Sequence, residues 1–173
     1  LWIVDFGSLS KIHNQQSKIT MLKVGDKAPH FTSTDQNGKP FSLSDLRGKA
    51  VALYFYGEDG SPTCTIEACN LRDNYGHLKK NGIEVVGVSA DSVKSHKKFE
   101  TKYQLPFTLL ADPERKIIDQ FGVWEMKKLF GREYMGVHRS TFLIDERGTI
   151  RAVFEKPKNK AHGEEILKAW KEL

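Results

Sequence analysis

An α/β fold, with a central mixed sheet flanked by helices, is the architecture this sequence predicts, and three patterns predict it. Residues 50–56 (AVALYFY) and 83–89 (IEVVGVS) are near-continuous apolar runs, as in strands buried on both faces. Between them lies a helical stretch of the length a crossover needs, so the three segments form a parallel β-α-β unit. Later in the chain, residues 140–145 and 149–155 flank Glu146-Arg147-Gly148 and read as an antiparallel hairpin.

The elements follow in order. Residues 31–35 and 40–43 flank Gln36-Asn37-Gly38-Lys39 and predict a short hairpin turned at Asn-Gly. Residues 44–48 (SDLRG) form one tight helical turn closed by glycine, and the strand over 50–56 comes next. A helix starts near Thr63, runs through His77 to Lys80 and stops at Asn81-Gly82. After the strand over 83–89, a helix over 92–103 carries Val93, Phe99 and Tyr103 on one side. Residues 107–110 are a brief strand, and Asp112-Pro113-Glu114 starts a helix that ends about Phe121. Residues 124–137, around Gly131, read as a loop or extended insertion; a last helix covers 161–170. With β-α-β units first and the hairpin last, the order matches a thioredoxin-like sheet with an added N-terminal hairpin.

Composition narrows the function. The 39% apolar and 28% charged content is ordinary for a globular chain. No apolar run approaches the roughly 18 residues that span a bilayer. The net charge of +5 is spread along the chain, and pairs such as Lys79-Lys80, Lys97-Lys98 and Lys127-Lys128 read as solvated helix faces, not a nucleic-acid patch. Residues 1–20 lack the basic and apolar regions of a signal peptide, and Met21 begins a natural-looking start; 1–20 are expected to be an upstream or vector-derived extension, and 21–173 a single domain. Two cysteines are too few for a disulfide scaffold, which points to a reducing, cytoplasmic setting.

Both cysteines lie where the strand over 50–56 passes through a Gly/Pro/Ser loop into a helix. Cys64 falls in the expected first helical turn, where unpaired N–H groups and the positive end of the helix dipole favour an anion. A thiolate is the nucleophilic form of cysteine, so the placement suggests a nucleophile more than a filler of core space. Zinc needs about four ligands, and two cysteines with six scattered histidines make no recognisable set. The C-x4-C spacing is also not the C-x-x-C of a dithiol oxidoreductase. On an intact helix, residues five apart have Cα atoms roughly 8–9 Å apart. A disulfide needs less than about 7 Å. Cys64 and Cys69 can therefore pair only if the first turns unwind.

Ser61-Pro62-Thr63-Cys64-Thr65, Glu67, Ala68-Cys69 and Leu71-Arg72-Asp73 resemble the active-site segment of peroxiredoxins, most closely the Q-type branch of bacterioferritin comigratory proteins. The resemblance covers about residues 22–173, including residues 25–31 (GDKAPHF) and 138–145 (HRSTFLID). It implies that Cys64 is the peroxidatic cysteine and Cys69 the resolving one. Ser61 matches a hydroxyl that contacts peroxide, Arg139 an arginine that supports the thiolate, and Glu67 a carboxylate that holds that arginine. Pro62, Thr63 and Tyr56 fall at substrate-binding positions. One residue departs from the pattern: Gly57 stands where the family usually has a proline, which bears on loop rigidity.

The resemblance further implies reduction of hydrogen peroxide or organic hydroperoxides, no cofactor or metal, recycling by thioredoxin or a similar dithiol, and a monomer. A peroxide sensor that relays its oxidation to a partner is the nearest alternative, and a non-catalytic binding module of the same fold is the other. Taken singly, Ser61 reads equally as a plain helix cap, Arg139 as a surface arginine and Glu67 as a dipole-favouring carboxylate. His77, His96 and His138 read as ordinary polar positions, and Trp124 and Trp170 as packing residues.

Overall fold

A computed structural model describes residues 20–173. The expected extension over 1–20 lies almost wholly outside the described residues. The first hairpin pairs β1 (Thr32–Asp35) with β2 (Pro40–Ser42), and a 3-10 turn (Leu43–Leu46) leads to β3 (Ala50–Phe55). Helix α1 (Pro62–Lys80) crosses to β4 (Ile83–Ser89), and α2 (Val93–Tyr103) crosses to β5 (Thr108–Ala111). A short α3 (Lys116–Phe121) precedes a hairpin of β6 (Trp124–Leu129) and β7 (Arg132–Val137). The second hairpin, β8 (Ser140–Ile144) with β9 (Ile150–Phe154), and α4 (His162–Lys171) complete the described chain.

Among the described residues, seven strands form one mixed sheet in the order β2-β1-β5-β4-β3-β8-β9. The β3, β4 and β5 strands are parallel, while β1 and β8 run antiparallel to their neighbours on either side. Every residue of β3 is buried, which its unbroken apolar run requires. Its alternate side chains feed two cores. Ala52 and Tyr54 face α1, α2 and α4 with Leu71, Phe99 and Ile166; Leu53 and Phe55 face α3 with Ile117, Ile118 and Phe121. Two glycines permit close approach. A Cβ at Gly87 would lie 2.8 Å from the Tyr54 ring, and one at Gly163 would lie 2.5 Å from Asn74 Cβ, where α4 meets α1.

Two elements differ from expectation. The helix that Asp112-Pro113 was to begin starts at Lys116. Residues 112–115 form a turn, with Arg115 N–H on the Asp112 carbonyl and Arg115 in the left-handed region at φ 58°. The Asp112 carboxylate then accepts from the Ile118 amide at 2.8 Å, so the acid caps the helix from several residues away. Residues 124–137 are a regular antiparallel hairpin, not a loop. Phe130 and Gly131 both have positive φ, 50° and 75°, in the two-residue geometry that suits the strand twist. Phenylalanine is a poor signal for a left-handed position, so the turn is hard to read from residue types.

Candidate active site

At the end of β3 the Tyr56 amide still bonds to the Val88 carbonyl, and the chain then leaves the sheet through residues 57–60. Gly60 takes φ 79°, Ser61 is extended at φ −63° and ψ 147°, and Pro62 occupies the first helical position. Helical pairing begins with the Thr65 amide on the Ser61 carbonyl at 2.9 Å, so the helix itself uses neither the Thr63 nor the Cys64 amide. Cys64 sits in this first turn, 4% exposed, as a free thiol. The Ser61 hydroxyl makes no capping bond, which argues against the plain-cap reading and leaves it available beside the helix start.

Glu67 lies one turn after Cys64 on the same helix side and is fully buried. Arg139, between β7 and β8, brings its guanidinium to 3.6 Å from the Glu67 carboxylate and donates to Asn159. Neither Glu67 oxygen has a hydrogen-bond partner among the described residues. Burial raises the Glu67 carboxyl from 4.5 to about 7; Arg139 opposes the rise and Glu165 adds to it. His162 lies beneath, its Nε2 4.0 Å from Glu67. Its Nδ1–H donates to Glu165 at 2.8 Å, so Nε2 accepts from the Thr141 hydroxyl at 2.7 Å. Burial holds His162 below the usual histidine range.

The structure thus brings Cys64, Glu67 and Arg139 together and adds residues that sequence reasoning missed. His138, expected to be ordinary, bonds Glu125 and the Glu155 carbonyl, both at 2.7 Å, and so ties the β6–β7 hairpin to the residue just after β9, next to Arg139. Lys127 on β6 is half-buried; burial lowers its ammonium, Glu125 raises it, Arg139 lowers it and Cys64 raises it. Its stem lies against Gly136, 3.2 Å from where a Cβ would stand. Tyr54 has a buried hydroxyl with no partner among the described residues, raised well above its ordinary range by burial and then by Glu67 and Cys64. None of these has a local motif; only a shared position in space joins them. Trp124 stacks under Arg115 at 4.4 Å and Trp170, on α4, packs against the core, as expected of packing residues.

Tyr56, a candidate for substrate contact on sequence, has its hydroxyl committed elsewhere. It donates to Asp59 at 2.6 Å, inside a cluster that also contains Asp91 and His96. His96, expected to be an ordinary polar position, is fully buried. Ligand atoms of Asp59, Asp91 and His96 lie within 4.8 Å of one another. Protein groups already fill this cluster: Tyr56 and Ser95 donate to Asp59, His96 Nδ1 shares a hydrogen bond with it, and Ser89 and the Asp59 amide donate to Asp91. It therefore reads as a hydrogen-bonded knot, not as a set of vacant metal ligands.

Cys69 is also free and half-buried, and it borders a shallow groove of about 330 Å³ with Thr65, Ile66, Asn70, Asp73 and Lys160. Both cysteines are within the intact α1, separated by about 140° of rotation. A larger cleft of about 360 Å³, between Lys27, Arg47, Lys49 and Arg147, lies at the other end of β3 from Cys64.

Comparisons with known proteins agree on one kinship. The AhpC/TSA family profile matches residues 24–153. Peroxiredoxin Bcp of Bacillus subtilis is 43% identical over 152 residues, covering 88% of this chain and 97% of that one. Peroxiredoxin Bcp of Escherichia coli is 44% identical over 151 residues, covering 87% and 97%. Among solved structures, peroxidoxin BcpB of Mycobacterium tuberculosis superposes with a TM-score of 0.78 at 32% identity, covering 88% of this chain and 98% of that one. The bacterioferritin comigratory protein of Xanthomonas campestris, studied for its alkyl peroxide reduction, gives 0.77 at 30% identity, covering 82% and 90%.

Proposed function

Because this chain belongs to the AhpC/TSA family, in its Bcp peroxiredoxin branch, and is a thiol peroxidase, we propose that Cys64 is its peroxidatic cysteine and Cys69 its resolving one. The observation that best supports this reading is Cys64 itself. It is a buried free cysteine beside the helix's own unused amides, with an uncommitted Ser61 hydroxyl nearby and Arg139 anchored on Glu67 one turn away.

In the first step the Cys64 thiolate attacks the distal oxygen of hydrogen peroxide or an organic hydroperoxide. An S–O bond forms, the O–O bond breaks, and the leaving oxygen takes a proton to become water or an alcohol. Sulfur is oxidised by two electrons to the sulfenic acid. The Thr63 and Cys64 amides, the Ser61 hydroxyl and Arg139 are the donors for the thiolate and the leaving oxygen, with Pro62 and Thr63 forming the substrate edge. Tyr56 acts by holding the loop and does not donate to substrate.

In the second step the Cys69 thiolate attacks the Cys64 sulfur, an S–S bond forms, and hydroxide leaves as water after taking a proton. The first turns of α1 must unwind for this. Thioredoxin or a similar dithiol would then reduce the disulfide by exchange, its own thiols being oxidised. We take residues 21–173 as one peroxidase domain, working as a monomer in the cytoplasm. The binding-module reading gives way to kinship with peroxiredoxins, and the relay reading has no observation of its own. The test is substitution. Cys64→Ser should abolish peroxide consumption, while Cys69→Ser should consume one equivalent and hold a sulfenic acid that a dimedone probe labels. Peroxide turnover surviving in Cys64→Ser would overturn the assignment.

A further inference from the structure

The loop before Cys64 is held at one residue, Asp59. Among residues 57–60, Gly57, Glu58 and Gly60 are exposed, and Asp59 alone turns its side chain inward, 6% exposed. Glycines stand on both sides of it, so the backbone restrains this stretch little. The restraint comes from Asp59, mainly through its carboxylate and also through its amide. The carboxylate accepts from the Tyr56 hydroxyl at 2.6 Å and the Ser95 hydroxyl at 2.8 Å, and it shares a hydrogen bond with His96 Nδ1 at 2.7 Å. The Asp59 amide donates to Asp91 at 2.9 Å. His96 is in turn fixed from behind, its Nε2–H donating to the Leu110 carbonyl of β5 at 3.0 Å. A loop at the mouth of the site is thus bolted through His96 to the sheet.

Resting on the proposed two-cysteine chemistry, we infer that His96 is a positioning residue, and that the Asp59–His96 pair is a latch setting how often the first turns of α1 unwind. With Asp59 held, only the few residues from Gly60 to Cys64 are free to move Cys64 towards Cys69. With it released, the chain has slack from Gly57 onward. Peroxide reacts with the folded site and the disulfide forms from the unwound one, so the latch trades the second step against the first. It also governs how long a Cys64 sulfenic acid stays folded and open to a second peroxide, the route to sulfinic acid. The proline that the Q-type pattern places at position 57 would stiffen this loop through its backbone; here the Asp59 side chain has that task.

Two variants separate the latch from mere packing. An asparagine at 96 puts its amide nitrogen near the Nδ1 position and keeps the bond to Asp59. A glutamine puts its nitrogen near Nε2 and keeps only the bond to Leu110. Amide exchange over residues 57–68 of the reduced protein reads the latch directly, and quenched mass spectrometry reads disulfide and sulfinic acid formation. In His96→Gln, exchange over this segment and the disulfide step should rise about tenfold, the weight of one hydrogen bond to a carboxylate. Reaction with peroxide should slow and sulfinic acid should fall. His96→Asn should restore most of the difference, and Asp59→Asn should match His96→Gln and add little to it. Unchanged exchange in His96→Gln, or equal effects of Gln and Asn, would overturn the latch. Absence of any disulfide step in the unsubstituted protein would instead remove the two-cysteine reading, and the exchange comparison would still decide the latch.

Discussion

Glu67 is a carboxylate in the wrong medium for a charge. It is fully buried, with no hydrogen-bond partner on either oxygen among the described residues and one guanidinium at 3.6 Å, and burial pushes its carboxyl up from 4.5 to about 7. The folded state therefore binds its proton more tightly than the unfolded chain does. The stability this provides is full below about pH 4.5 and is lost as pH rises through about 7. Relative to Glu67→Gln, the unsubstituted protein should lose about 3 kcal/mol between those limits. Urea unfolding of both proteins across that range is the check, and a pH-independent difference would contradict it. Arg139 carries the other half of the pair. Arg139→Gln should slow reaction of Cys64 with peroxide about 100-fold, the usual cost of one preorganised donor, as read in a single-turnover assay.

At the scale of elements, α1 has two conflicting tasks. Its intact first turn gives Cys64 its amide surroundings, and the same turn keeps Cys69 out of reach. Oxidation should therefore melt the start of the helix and nothing else. Amide exchange should speed up over residues 60–69 of the disulfide form while β3 and β4 stay protected, and equal protection in both forms would contradict this. The β6–β7 hairpin turns at Phe130, which is 96% exposed and packs on nothing among the described residues. Phe130→Ser should leave unfolding free energy within about 0.5 kcal/mol of the unsubstituted value. This hairpin also marks where the sequence was hard to read. Its left-handed turn is built on phenylalanine, and its strands, only partly covered, lack strict alternation.

For the molecule as a whole, the sheet fixes the chemistry by topology. Parallel β3 and β4 bring Cys64 to the carboxyl end of β3, and antiparallel β8 returns Arg139 to that same end. Leu53, at the centre of β3 and fully buried, bears much of this arrangement, and Leu53→Ala should cost about 2–5 kcal/mol of stability by denaturant unfolding. The frame was legible because unbroken apolar runs, an Asn-Gly turn and a Gly-closed helix are local signals. Cys64, Cys69, Ser61 and Glu67 were legible because they share one segment. Asp59, His96, Lys127, Asn159 and His162 were not, since each gains its meaning from a neighbour far away in sequence.

The central claim is that Cys64 takes the oxygen and Cys69 resolves it. Its most direct test mixes the reduced protein with one equivalent of hydrogen peroxide, follows tryptophan fluorescence by stopped flow and weighs the quenched product. The expected record is a fast peroxide-dependent phase, then a peroxide-independent phase ending in loss of two hydrogen masses as a Cys64–Cys69 disulfide. In Cys69→Ser the first phase should survive without the second, and in Cys64→Ser neither should remain. Two unreacted thiols in the unsubstituted protein would contradict it.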